Sequence, residues 1–197
     1  MGQVAVFVNG IPGAGKSTLS KTLGPELGFP VISRDAIKEA LADLVTVDIP
    51  TQRIGALAAD AMWSMVGMID SPTLVESFWA TGRDEEFFKR GLRASRVEHG
   101  IELWCEVPLK LARSRFIERP RHRVHTDVAR LDEWEHMVRA AQPISDFPTL
   151  RVDTTSAVDV PQLAATIRRM LKLPECEALA FISSDDSTAG SAASEGI

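Results

Sequence analysis

The residues with the clearest chemistry in this 197-residue chain lie at 10–17, where Gly10-Ile11-Pro12-Gly13-Ala14-Gly15-Lys16-Ser17 fits the pattern GxxxxGK[ST]. Glycines let the backbone turn there with no side chain in the way. Successive N–H groups and the start of the next helix then converge on phosphate oxygens. Lys16 can reach the β- and γ-phosphates of a nucleotide, the Ser17 hydroxyl can ligate Mg²⁺, and Thr18 adds a hydroxyl within reach of the α-phosphate. A glycine-rich turn could merely join a strand to a helix. The pattern means more when it follows a buried strand and opens a helix, and here it does both.

Stepping outward, Val4-Ala5-Val6-Phe7-Val8 is a continuous β-branched and aromatic run ended by Asn9-Gly10, as expected of a strand buried on both faces of a parallel sheet. From Lys16 to Leu27 the apolar residues recur at helical spacing, and Gly28 stops them. Further strands are expected at 29–33, 73–78, 100–107 and 149–153. Helices are expected at 35–45, 51–70, 83–95, 109–118, 128–141 and 158–173. Five strands alternating with helices imply an α/β fold with a parallel sheet and right-handed crossovers. Residues 1–173 form one domain in this reading. From Pro174 the composition turns to Ser, Ala, Gly and acids, which predicts a disordered tail over 174–197.

Net charge −5 argues against a generally basic nucleic-acid coat. Cys105 and Cys176 do not make a disulfide framework or a zinc pair, and no signal peptide or membrane span is evident, so a cytoplasmic protein is expected. His99, His122, His125 and His136 show no HxxxH spacing, which disfavours a metal site built from protein side chains.

Several other residues stand where chemistry is done. Asp35 leaves the second strand at the start of a helix, as an ordinary helix cap or as a functional acid. Its neighbour Arg34 either pairs with substrate or is simply exposed. Glu76 ends an apolar run at the position of a Walker B acid, where it can hold Mg²⁺ through water or merely face solvent. Most such sites carry Asp. Trp63, Trp104 and Trp134 read as core, whereas Trp79 lies just past Glu76 at a strand's carboxyl end, where open α/β sheets bind ligands, and is a candidate wall of an acceptor pocket. Arg115, Arg119 and Arg123 recur at intervals of four, with Arg121 and His122 between; Pro120 makes the segment too irregular for one helix. From Lys110 to Arg123 only Glu118 opposes the basic residues, so positive charge is concentrated there. A guanine-reading NKxD sequence is absent: the last strand ends Val152-Asp153-Thr154-Thr155.

Taken together, NGIPGAGKST at 9–18, VISRDAIKEAL at 31–41, LVESF at 74–78, LARSRFIERPRHRVH at 111–125 and LRVDTT at 150–155 resemble the small P-loop kinases of the AAA-like predicted-kinase group. Chloramphenicol phosphotransferase, zeta-toxin kinases, shikimate and gluconate kinases and the kinase domain of polynucleotide kinase are relatives of that group. The resemblance implies a P-loop NTPase three-layer sandwich with a short arginine-rich lid, using ATP and Mg²⁺. It implies that Asp35 takes the proton from a substrate hydroxyl and that Glu76 hydrogen-bonds the acceptor. It further implies that Arg115 lies beside adenine, that Arg119 clamps phosphate and that Arg123 arrives on lid closure. The backbone at Asp153, Thr154 and Thr155 would wrap the adenine edge, although turn formation alone also suits those residues. The expected reaction is γ-phosphoryl transfer to a hydroxyl of a small molecule such as a metabolite, nucleoside, sugar or antibiotic. The alternatives are a polynucleotide 5′-hydroxyl kinase and a non-catalytic ATP-switched binding module.

Overall fold

In the computed structural model, which describes residues 3–120, 122–125, 134–135 and 138–173, the apolar run at the N-terminus forms strand β1 (Gln3–Asn9), buried from Ala5 to Asn9. A strand with apolar residues on both faces belongs in the middle of a covered sheet. β1 is the central strand of five, in the order β2 (Val31–Ser33), β3 (Thr73–Glu76), β1, β4 (Val97–Glu106), β5 (Thr149–Asp153), and every pairing is parallel.

The pleat sends alternate β1 residues to opposite faces, and each face has its own helix layer. Val6 and Val8 share a core with Leu19 and Leu23 of α1 (Lys16–Leu27) and with Leu163 and Ile167 of α6 (Val160–Leu171). Ala5 and Phe7 face Met62, Trp63 and Val66 of α3 (Thr51–Met68) and Phe88 of α4 (Glu85–Ser95). The Phe7 ring lies 5.1 Å from Phe88 and 6.0 Å from both Trp63 and Trp79, a set of mostly edge-on or tilted contacts. Two further helices, α2 (Arg34–Asp43) after β2 and α5 (Leu109–Glu118) after β4, start at the carboxyl edge of the sheet. Strand order reverses at β1, so the loop leaving it opens into the crevice where α/β sheets hold ligands.

The boundaries of α1, α5 and β5 match the sequence reading. β2 starts later than expected because Phe29 is buried and gives its N–H to the carbonyl of Gly24, closing α1 rather than extending the strand. β3 stops at Glu76, and β4 begins early, at Val97. The helix expected over 128–141 lies mostly outside the described residues, and the tail expected at 174–197 lies wholly outside them. No described helix is long and apolar enough to cross a membrane.

Candidate active site

Gly10, Gly13 and Gly15 have φ of 142°, 90° and 82°, conformations that L side chains rarely adopt. Space adds a second constraint. A Cβ on Gly13 would lie 2.1 Å from the carbonyl oxygen of Ala112 in α5, and one on Gly10 would lie 2.8 Å from that of Cys105 in β4. The loop is thus pressed against β4 and α5, with Ile11 and Ala14 buried beneath it and Pro12 half-buried. Gly15 precedes the first turn of α1 without a side-chain cap, so the N–H groups of that turn stay available to an anion.

The Lys16 ammonium donates to the carbonyls of Gly10 (2.8 Å) and Ile11 (3.2 Å) and sits 5.7 Å from the centre of the Phe78 ring. Burial pushes its pKa down. The nearby charges of Glu76 and Asp35 act in the opposite sense, and Arg119 adds to the depression. Ser17 donates its hydroxyl to Glu76 Oε1 at 2.9 Å, and Glu76 is itself buried. Thr18 is exposed at the mouth of the loop. Next to Lys16, the buried Cys105 thiol is pushed up to about 12 by desolvation, which makes it an inert core group.

Asp35 is not the cap of α2, because Ser33 takes that position and its hydroxyl accepts the Ala36 N–H at 3.4 Å. Asp35 in the first turn is left facing the cavity. Partial desolvation there favours its protonated form, but the positive charges of His125, Lys16, Arg34 and Arg119 outweigh this and hold the carboxyl below the usual range. Arg34 is half-buried rather than exposed; its guanidinium lies over Gly55 of α3, and its Nε has no hydrogen-bond partner.

Two cavities flank this centre. One, of about 370 Å³, lies between the glycine loop and α5, with Gly13, Gly15, Lys16, Ser17, Thr18, Arg115, Glu118 and Arg119 on its walls. The other, of about 590 Å³, lies between α1, β2, α2 and α3, where Asp35, Glu39, Glu76 and Arg119 meet an aliphatic wall of Val31, Ile37 and Met65. Ser17 and Arg119 border both. At the edge of the first cavity, Arg115 donates to the carbonyls of Thr154 (3.0 Å) and Thr155 (2.9 Å). Thr154 is buried, and its hydroxyl lies 2.7 Å from the Ala14 carbonyl and 2.8 Å from that of Glu106. Asp153 is exposed and accepts the Thr155 N–H at 2.8 Å; its hydrogen bonds to Thr155 keep its pKa low.

Two expected site residues are elsewhere. Trp79 is 4% exposed and packs in the aromatic cluster, away from both cavities. Its backbone turns back on β1, with the Trp79 N–H donating to Asn9 Oδ1 at 3.1 Å, and that turn directs the indole inward. Trp79→Ala should therefore destabilise the fold by about 3–5 kcal/mol in urea titrations, as truncation of a packed core aromatic does, rather than alter acceptor binding selectively. Arg123, expected to reach the phosphates on lid closure, here lies against α2 instead. It caps α2, donating to the carbonyl of Ala42 at 2.7 Å beside the Asp43 carboxylate, because the partial negative charge of a helix C-terminus attracts a guanidinium. Arg121 lies outside the described residues.

A buried polar pair escaped the sequence reading. Asn9 donates to Glu102 at 2.9 Å and accepts the Gly10 N–H at 2.7 Å, while the Glu102 carboxylate accepts N–H bonds from Ile144 and Ser145. Both side chains are fully buried, and together they fix the start of the glycine loop. The available signal was an acid in the middle of the apolar run Ile101-Glu102-Leu103.

A search of curated proteins found no match. Among solved structures, a "putative kinase" from Chloroflexus aurantiacus J-10-fl superposes with a TM-score of 0.76 at 25% identity, covering 87% of this chain and 100% of that one. A gluconokinase from Sinorhizobium meliloti 1021 gives 0.58 at 16% identity, with 85% and 93% covered. The APS kinase of Mycobacterium tuberculosis, in complex with AMPPNP and APS, gives 0.57 at 14%, with 87% and 98% covered. The last two share the fold. A family model described as an AAA domain matches residues 6–144, from the middle of β1 to beyond the arginine-rich segment. With the glycine loop at the switch point of a parallel five-stranded sheet, the chain has a P-loop NTPase fold and belongs to this AAA domain family.

Proposed function

We propose that the protein is an ATP-dependent kinase that transfers the γ-phosphoryl group to a hydroxyl of a small-molecule acceptor in the cytoplasm. The observation that carries this reading is the pair of cavities that meet at Ser17 and Arg119, with the glycine loop on one side and Asp35 on the other. ATP fits the first cavity, with its phosphates on the loop N–H groups and Lys16. Its adenine lies toward Arg115 and the backbone of 153–155. The acceptor fits the second.

In this reading Asp35 orients the acceptor hydroxyl and takes its proton late, as the oxygen bonds to γ-phosphorus and the bond to the β-bridging oxygen breaks. Lys16, which now rests on its own loop's carbonyls, exchanges them for phosphate oxygens, and Arg119 supports the charge on the group in transit. Ser17 and Glu76 offer hydroxyl and carboxylate oxygens, hard donors that suit Mg²⁺, with Ser17 binding directly and Glu76 through water. Held there, Mg²⁺ would supply positive charge that offsets the negative charge of the phosphates during transfer. Among the described residues no three His, Cys, Asp or Glu side chains are grouped as a metal site.

The test is ADP release and label transfer from γ-labelled ATP across a panel of alcohols, sugars, nucleosides and hydroxylated antibiotics. Acceptor-dependent transfer supports the proposal, and ATP binding without transfer to any of them counts against it. Lys16→Met should weaken ATP binding by at least about 10-fold by calorimetry, the contribution of a charge-assisted hydrogen bond to phosphate, while the fold stays intact.

A further inference from the structure

After α5, residues 122–125 form a tight turn, closed by the His125 N–H donating to the His122 carbonyl at 3.0 Å. The turn is strapped to the α2–α3 pair at several points. His122 Nδ1 accepts the Val124 N–H at 3.2 Å, which leaves the proton on Nε2 to donate to Asp43 at 3.1 Å. Arg123 caps α2, Thr51 donates to the Val124 carbonyl at 2.6 Å, and the Val124 side chain packs with Ala42 and Ile54. His125 completes the set, with Nε2 2.8 Å from Glu39 Oε1 and a side chain only 4% exposed.

Glu39 is four residues beyond Asp35 on α2, a spacing that puts both side chains on one face of the helix, and both border the acceptor cavity. The geometry points to His125 as a positioning residue for Asp35: clasped by Glu39, it brings the imidazole of the docked strap to the face of α2 that carries the proposed base. Arg119 leads into the same strap. A strap lifted from α2 would take His125 away from Glu39 and from the face that carries Asp35.

The electrostatics agree with the geometry. Of the charges that stabilise the Asp35 carboxylate, His125 is the foremost, ahead of Lys16 on α1, Arg34 on α2 and Arg119 beyond α5. Glu39 and Glu76 face the same cavity with negative charge, and Asp43 holds His122 farther along α2. A cation at position 125, held by Glu39, offsets negative charge along this face of α2, whereas an uncharged side chain there does not.

The proposal rests on the assignment of Asp35 as the base, but its test does not need the acceptor. In the nucleotide-free full chain, with ¹³C label in the Asp carboxyls and Asp35→Asn used to assign the resonance, the Asp35 midpoint is followed against pH by NMR. His125→Gln keeps a donor for Glu39 and loses the charge; it should move the Asp35 midpoint to higher pH. His125→Lys restores a cation and should bring the midpoint back towards that of the wild type. An unchanged midpoint in His125→Gln overturns the proposal, as do equal midpoints in the Gln and Lys variants, since a purely structural role would not distinguish them. Thermal denaturation of each variant confirms that folded protein is being titrated. If the midpoint moves but no phosphoryl transfer is ever found, the coupling stands and the kinase reading fails.

Discussion

Asp35→Asn should lower turnover by about 10²–10⁴-fold, the usual contribution of a positioned general base, while leaving the affinity for ATP nearly unchanged. The amide keeps the size and shape of the carboxylate but cannot accept the hydroxyl proton. It also leaves the start of α2 in place, because Ser33 supplies the cap and Asp35 contributes to the helix only through its charge near the N-terminus, about 0.3–1 kcal/mol. Steady-state kinetics and calorimetric ATP titration separate the two effects; full turnover in the variant would remove Asp35 from the mechanism. The pH dependence follows with a definite sign. A base acts when ionised, and the cations around Asp35 hold its carboxyl below the ordinary range. The acid limb of kcat/KM should therefore lie below that range, with activity lost as pH falls through it, and Asp35→Asn should lack that limb.

The parts of this site that could be read from the sequence are those governed by local rules. A Gly-rich stretch ending in Lys-Ser is informative because the three positive φ values and the uncapped start of α1 depend on residues within one short segment. The limits of α1 and α5 were equally plain, since Gly28 and Pro120 interrupt the chain for local steric reasons. Trp79 misled because position along a strand tells which edge of the sheet a residue reaches, whereas the hydrogen bonds of Asn9, seventy residues earlier, decide which way the chain turns there. The arginines show the same limit of local reading. Arg115, Arg119 and Arg123 form a stripe only on a continuous helix, and the chain leaves the helix at Arg119. Arg123 then finds the C-terminus of α2. The clasp of His125 on Glu39 joins residues eighty-six positions apart and leaves no periodic trace. Contacts of that kind exist only once tertiary packing has brought the strap to α2.

Arg119→Ala should be about as severe as the loss of the base, with kcat falling by about 10³-fold or more, the contribution of an arginine that supports a phosphoryl group in transit. The local sequence dictates why this arginine is the one placed to act. The residue before a proline is driven out of helical conformation, and Arg119 before Pro120 has φ −71° and ψ 136°, although its N–H still bonds to the Arg115 carbonyl. Its side chain thereby leaves the line of α5 and borders both cavities. It is also exposed, so its removal should change stability by no more than about 0.5 kcal/mol. That contrast distinguishes a catalytic arginine from a structural one: kcat collapses while the denaturation midpoint holds. Arg119→Lys should recover only a fraction of the rate, because an ammonium replaces the charge but not the planar, two-pronged donor geometry of a guanidinium. If Arg119 only helped to bind nucleotide, the KM for ATP would rise in Arg119→Ala with kcat preserved, and single-turnover measurements at saturating ATP would show the chemical step intact.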